Sequence, residues 1–209
     1  MKFLDMFCST HWPLRKLVDV CFINPRPDVD KAERSLTVSF VPMADLPENQ
    51  MWFEPAQTKS LIESASSYTF FREGDVLLAK VTPCFENGKA GIPRSLLNGM
   101  GLGTSELHVL RGREDVLPEW IYFAVRHPSF RNHAISNMTG SGGLRRVPRE
   151  CVESFEIPVP PVEEQRRVIA NLRDQLTRVN QAHRALSDQL AALDRYPAAL
   201  LREAFAGRL

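Results

Sequence analysis

A chain of 209 residues holds one full domain with room for an extension, and a sizeable buried core is within its reach. Its 26 Lys and Arg against 25 Asp and Glu leave a formal charge of +1, which excludes a global electrostatic pull on polyanions and moves attention to local charge. Four scattered cysteines (Cys8, Cys21, Cys84, Cys151) form no Cys-x-x-Cys and have no histidine at ligand spacing. Neither a structural metal nor a disulfide framework is expected, in keeping with a reduced cytoplasm.

In chain order, the opening MKFLDMFCST is too short for a signal peptide and is broken by Asp5, and no run approaches membrane-spanning length. A soluble cytoplasmic protein without membrane contact is the expectation. Residues 14–157 read as mixed α and β structure. NPRP (24–27) echoes the tetrapeptide of DNA methyltransferases but lacks the correctly placed second proline and the aromatic. RPDVDKAE (26–33) offers Asp28, Asp30 and Glu33 to a metal-dependent nuclease, but reads as a polar turn. LTVSFVPM (36–43), DVLLAKV (75–81), LHVL (107–110) and FEIPV (155–159) are rich in β-formers and are predicted strands. PEWIYFAVRHPSFRNHAISN (118–137) is a predicted helix that Pro128 must kink or split.

Charge is uneven along this body. Between Trp120 and Arg149 there is no acidic residue, yet Arg126, Arg131, Arg145, Arg146, Arg149, His127 and His133 all fall there. At its centre MTGSGGLRRVP (138–148) is expected to be a Gly/Ser/Thr loop carrying two adjacent arginines. Such a loop lets backbone N–H groups and small hydroxyls approach phosphates, while an arginine can fork onto guanine O6 and N7. A second acid-free window, NGKAGIPRSLLNGMGLGTS (87–105), carries Lys89 and Arg94 among glycines. Arg145 and Arg146, with Thr139 and Ser141, are the first candidates for DNA contact, followed by Lys80, Thr82, Asn87 and Lys89. The competing reading is two flexible surface loops with solvated arginines.

IPVPPVEEQRRVIANLRDQL (157–176) then places Pro158, Pro160 and Pro161 directly ahead of a helical pattern. Prolines suit an extended segment or a first helical turn, and Glu163 and Glu164 suit the dipole of that turn. Ile169, Leu172, Leu176, Val179, Leu186, Leu190 and Leu193 recur at alternating steps of three and four, interrupted only by His183. This is an a/d seam, and a stripe so narrow calls for another helix. An amphipathic helix packed on its own domain is the alternative. His183 could set register or respond to pH, or be a partly solvated core histidine. Pro197 is expected to end the helix, and AALLREAFAGRL (198–209) to form a second short one, with Leu200, Leu201, Ala204 and Phe205 on one face and Gly207 as its stop. The expected fold class is α+β: a mixed α/β body over residues 1–157, then a proline joint, a long coiled-coil-forming helix and a short helix over 158–209.

No nucleophile elbow, phosphate loop or zinc-protease helix is present, so no catalytic residue, metal or cofactor is expected. FEIPVPPVEEQRRVIANL (155–172), FREGDVLLAKVTPCFENGKAG (71–91), GTSELHVLR (103–111) and LLREAFAGRL (200–209) together resemble the specificity subunits of type I restriction-modification systems. The Pro-Pro-x-Glu-Glu-Gln joint is the most specific element. The resemblance implies that residues 1–157 are a target-recognition domain reading double-stranded DNA. It implies partners too: an adenine methyltransferase subunit and, through the full complex, a restriction translocase. Family members carry two recognition domains and two conserved helices, whereas this chain has one of each. A homodimer paired through Ile169, Leu172, Leu176, Val179, His183, Leu186, Leu190 and Leu193 is therefore expected. An accessory or truncated half-subunit beside a longer specificity protein, and an unrelated coiled-coil DNA-binding regulator, are the alternatives.

Overall fold

A computed structural model describes residues 12–26, 35–61 and 68–208. The opening decapeptide with Cys8, and Asp28, Asp30 and Glu33, lie outside the described residues, as do the side chains of His183 and Leu200. The chain divides into two compact units, Met1–Gln165 and Arg166–Leu209. Among the described residues no helix is long and apolar enough to cross a membrane.

The first unit begins with β1 (Leu14–Lys16), α1 (Leu17–Val20), β2 (Cys21–Ile23) and β3 (Thr37–Val41). Then come β4 (Trp52–Phe53), β5 (Gln57–Ser60), β6 (Thr69–Arg72), β7 (Val76–Ala79), β8 (Ala90–Pro93), β9 (Met100–Gly103) and β10 (Leu107–Gly112). It closes with α2 (Pro118–Arg126), α3 (Pro128–Ser136), β11 (Thr139–Ser141), β12 (Leu144–Arg146), α4 (Arg149–Ser154) and β13 (Glu156–Pro158). Five strands form one sheet in the order β2-β10-β7-β8-β4, and four form another in the order β5-β3-β9-β6. Pairing is antiparallel except for β3 with β9 and β4 with β8. The mixed α/β body followed by a long helix is the fold class expected from the sequence.

The core draws on both sheets. Val41 and Phe71 from the smaller sheet meet Leu77, Ala79, Leu107 and Val109 from the larger. All four residues of β7 are buried, which is how a strand covered on both faces reads. Its neighbour on one side is α2, whose Trp120, Ile121, Phe123, Ala124 and Val125 are buried. The predicted helix over 118–137 is split, because His127 takes extended backbone ahead of Pro128 and caps α3 through its ring, which accepts from Ser129 N.

Two expected loops are not loops. Residues 87–105 hold β8 and β9, both buried throughout, rather than a flexible basic segment. Their glycines serve packing: a Cβ on Gly101 would lie 2.2 Å from Phe71 Cζ. Residues 138–148 hold the hairpin β11–β12, closed by Gly142 and Gly143 at φ +63° and +81°. Positive φ at both central positions is the turn that follows the native strand twist, and glycine adopts it freely.

The proline joint is fixed by a residue whose role the sequence concealed. Gln165 is fully buried; its Nε2 donates to Asp115 O and Pro160 O, both at 2.8 Å, and its Oε1 accepts from Leu117 N at 2.9 Å. The joint chain also pairs with β1 through β13, and Val159 N donates to Pro13 O.

The second unit is built on α5 (Val162–Phe205), one helix of 44 residues. The expected break at Pro197 does not occur. Proline inside a helix removes one hydrogen bond and costs about 3 kcal/mol, and the alanine- and leucine-rich residues around it continue the helix. Gly207, at φ +67°, follows its end as expected. Ile169 and Leu172 are buried, whereas Leu176, Val179, Leu186, Leu190, Leu193, Leu201 and Phe205 are exposed.

Candidate nucleic-acid interface

The hairpin β11–β12 is rooted at its base and open at its tip. Thr82 does most of the rooting: its hydroxyl donates to Gly143 O (2.9 Å) and accepts from Arg145 N (3.0 Å), and its amide donates to Arg145 O. Val81 bridges to Arg146, and Val147 N donates to Lys80 O. At the tip, a Cβ on Gly142 or Gly143 would meet nothing within 4 Å. Thr139, Gly140 and Ser141 are exposed along one arm.

Successive residues of a strand face opposite sides, and the two arginines part accordingly. Arg145 Nη2 donates to Glu86 Oε1 at 3.1 Å. Arg146 is held on two atoms: Nε to Glu106 Oε2 at 2.8 Å and Nη2 to Glu106 Oε1 at 2.7 Å. Both arginines keep more than two-fifths of their side-chain surface exposed, at 44 and 42 %. The Arg146 hydrogen bonds, with help from the Lys80 charge, hold the Glu106 carboxyl below its ordinary pKa despite some desolvation. Glu106 in turn raises Arg146 above its ordinary value.

The other arginines of the acid-free window are committed to structure. Arg126 donates to Glu48 O and Gly88 O, and Arg131 to Glu86 O, so both clamp the turn at residues 82–88. Arg149 pairs with Glu153 one helical turn on. The candidate set therefore separates into two groups. Lys80, Thr82, Thr139, Ser141, Arg145 and Arg146 come together at the hairpin. Lys89 reaches away to Met43 O and Ala44 O, and Asn87 Nδ2 lies 3.4 Å from Glu48 Oε1. Among the described residues, no acceptor engages the Lys80 ammonium. The sequence reading missed Glu86 and Glu106 entirely.

Behind the hairpin base sits buried His108. Its Nε2 faces Val147 O at 2.9 Å and therefore carries the proton, which leaves Nδ1 to accept from Asn24 Nδ2 at 3.2 Å. Burial, above all, keeps this imidazole below its ordinary pKa. Asn24 Oδ1 accepts from Val109 N, completing a link from β2 through β10 to the hairpin. Among the described residues no three His, Cys, Asp or Glu side chains are grouped to hold a metal ion.

No family model matches the chain. It is 39% identical over 159 residues to the specificity subunit of the type I restriction enzyme EcoAI of Escherichia coli, an alignment covering 76% of this chain and 27% of that protein. It is 37% identical over 192 residues to the EcoEI specificity subunit of the same organism, covering 87% and 32%. The chain is similar to the specificity subunits of type I restriction enzymes. It spans about a third of the length of these curated relatives. Two solved structures share the fold of this chain. One comes from a study of complex assembly and conformational transition in a type I R-M system, with a TM-score of 0.69 at 22% identity, covering 96% of this chain and 47% of that one. The other is the HsdS subunit from Thermoanaerobacter tengcongensis, with a TM-score of 0.58 at 24% identity, covering 96% and 46%.

Proposed function

We propose that the chain is a non-catalytic, sequence-reading subunit for double-stranded DNA, which brings an adenine methyltransferase subunit, and through it a restriction translocase, to a bipartite target. The observation that carries this reading is the 39% identity to a type I specificity subunit across three-quarters of the chain. The hairpin supports this reading with its chemistry: an exposed, narrow ribbon rich in small residues, with arginines at its root. A two-stranded ribbon fits the major groove, and a guanidinium there can fork onto guanine. Lys80, with no internal acceptor among the described residues, suits a phosphate.

Homodimerisation is part of the proposal. One recognition body and one long helix read one half-site, and a second copy supplies the other. Exposed Leu176, Val179, Leu186, Leu190 and Leu193 on α5 give two helices a common seam. Identical bodies related by a two-fold axis present one reading surface twice, so the target should be an interrupted palindrome.

The test is to express the chain with its cognate methyltransferase and read the methylated motif by sequencing. Two inverted copies of one short half-site are expected. An asymmetric bipartite motif would instead assign the chain to a pairing with a longer specificity protein. No methylation motif, together with equal affinity for all duplexes, would reject the DNA-reading role.

A further inference from the structure

We propose that Glu106 is a specificity-determining residue: it grips Arg146 along one edge and so aims the opposite end of the guanidinium at a guanine of the half-site. The inference rests on the DNA-reading role proposed above and deepens it.

A guanidinium has three edges, and which one is occupied decides what remains. Glu106 takes the edge made by Nε and Nη2, with two short bonds of 2.8 and 2.7 Å. The end made by Nη1 and the outer hydrogen of Nη2 is left with its donors, and among the described residues no other acceptor engages them. That end is the fork that matches guanine O6 and N7. Two bonds on one edge also fix the plane of the group, where a single bond would leave it to rotate. Arg145 shows the contrast: Glu86 holds it by one bond at 3.1 Å, through Nη2 alone, which leaves the plane of the group to turn. Arg146 is the pre-aimed reader, and Arg145 is the adaptable neighbour free to turn toward a phosphate.

Both groups stand on rooted backbone. Arg146 is bridged to Val81, Val147 N donates to Lys80 O, and Lys80 N donates to Glu106 O. The backbone bonds thus span from the arginine to the glutamate and set their spacing before DNA arrives. A half-exposed ion pair contributes little to stability, so folding alone gives weak reason for an acid at this place. On a DNA-facing surface the carboxylate has a second effect. It repels phosphates, so it weakens binding to random DNA while the guanine contact retains the cognate site.

The experiment uses the full chain with its methyltransferase, on duplexes in which each guanine of the motif is replaced singly by 7-deazaguanine, which lacks the N7 acceptor. Wild type should lose about 5- to 150-fold in affinity at one guanine per half-site, the range of one bidentate contact. In Glu106→Gln that penalty should fall below about 5-fold, with affinity for random DNA unchanged or higher. In an Arg146→Ala background, Glu106→Gln should change discrimination no further. A second readout is independent of DNA: the Arg146 Nε–H should exchange slowly with solvent in wild type and rapidly in Glu106→Gln. An undiminished 7-deazaguanine penalty in Glu106→Gln, or equal loss of cognate and random binding, overturns the role of Glu106. A wild-type chain that does not prefer cognate to random duplex rejects the DNA-reading role itself, a distinguishable failure.

Discussion

His108 ties the β11–β12 hairpin to the sheet, and only the neutral imidazole satisfies both of its neighbours. Protonation would place a second N–H at Nδ1, facing the Asn24 amide donor. Because its native pKa is depressed, the unfolded chain takes up a proton first as pH falls, from about 6.5 downward. More protons bound by the unfolded state means stability declines with falling pH in that window, and the decline ends below the native pKa. Glu106, also depressed, adds a second loss at lower pH: its contribution is complete above about 4.3 and disappears as pH falls through its native value. The melting temperature is therefore expected to fall between pH 7 and pH 5, and His108→Gln to flatten that slope at some cost at pH 7. A slope unaltered by His108→Gln would assign it elsewhere, His127 being the other histidine with a depressed pKa among the described residues. None of this was readable in the sequence, where His108 is one letter inside a predicted strand and its partners lie 84 and 39 residues away.

At the scale of elements, what could be read was what local chemistry decides. β3, β7 and β13 fall inside their predicted strands and β10 starts where predicted but runs on to Gly112, because β-branched and large apolar residues are concentrated there. The start of α5 was visible in its prolines and acidic first turn. β8 and β9 were hidden because their small residues answer to rings brought from elsewhere, Phe53 over Gly91 and Phe71 over Gly101. The basic window showed its arginines but not their partners, since Glu86 and Glu106 stand 59 and 40 residues from Arg145 and Arg146. Gln165 could be quoted within the joint motif, yet its three long-range bonds could not be inferred. Gln165→Ala would leave Leu117 N and two carbonyls without their partner, and should destabilise the first unit by about 1–3 kcal/mol in urea unfolding. Loss below about 0.5 kcal/mol would mean that water replaces the side chain.

For the molecule as a whole, the exposed apolar seam is the feature that a lone chain leaves unspent. Each aliphatic side chain taken from water contributes about 1.5–3 kcal/mol, so five of them on α5 are a strong drive to pair. Leu176→Asp/Leu190→Asp should shift sedimentation at micromolar concentration from dimer to monomer while the first unit keeps its melting transition. A wild-type chain that sediments as a monomer alone, yet assembles with the methyltransferase, would move the seam from self-pairing to a foreign helix. If the helix sets the gap between half-sites, deleting the heptad at residues 179–185 from both copies should shorten the gap and leave the half-sites intact. One heptad is about 10 Å, comparable to three base pairs.

Pro197 puts a local mark near the C-terminal end of α5. The helix runs through it, but the carbonyl of Leu193 has lost the N–H that would have answered it. The mark lies off the centre of the exposed seam, so the two pairing directions place it differently. Two parallel copies would set the marks side by side, stacking both unanswered carbonyls at one level. Two antiparallel copies, centred on the exposed leucines, would send the marks to opposite ends, each facing intact helix. Spin labels at Asp194→Cys, with Cys8 and Cys84 replaced by serine, would therefore lie within about 10 Å of one another in a parallel pair and roughly 30 Å apart in an antiparallel one. Should two copies pair antiparallel, their first units would join the paired helices at opposite ends, and in the proposed reading the length of α5 would then set the gap between half-sites.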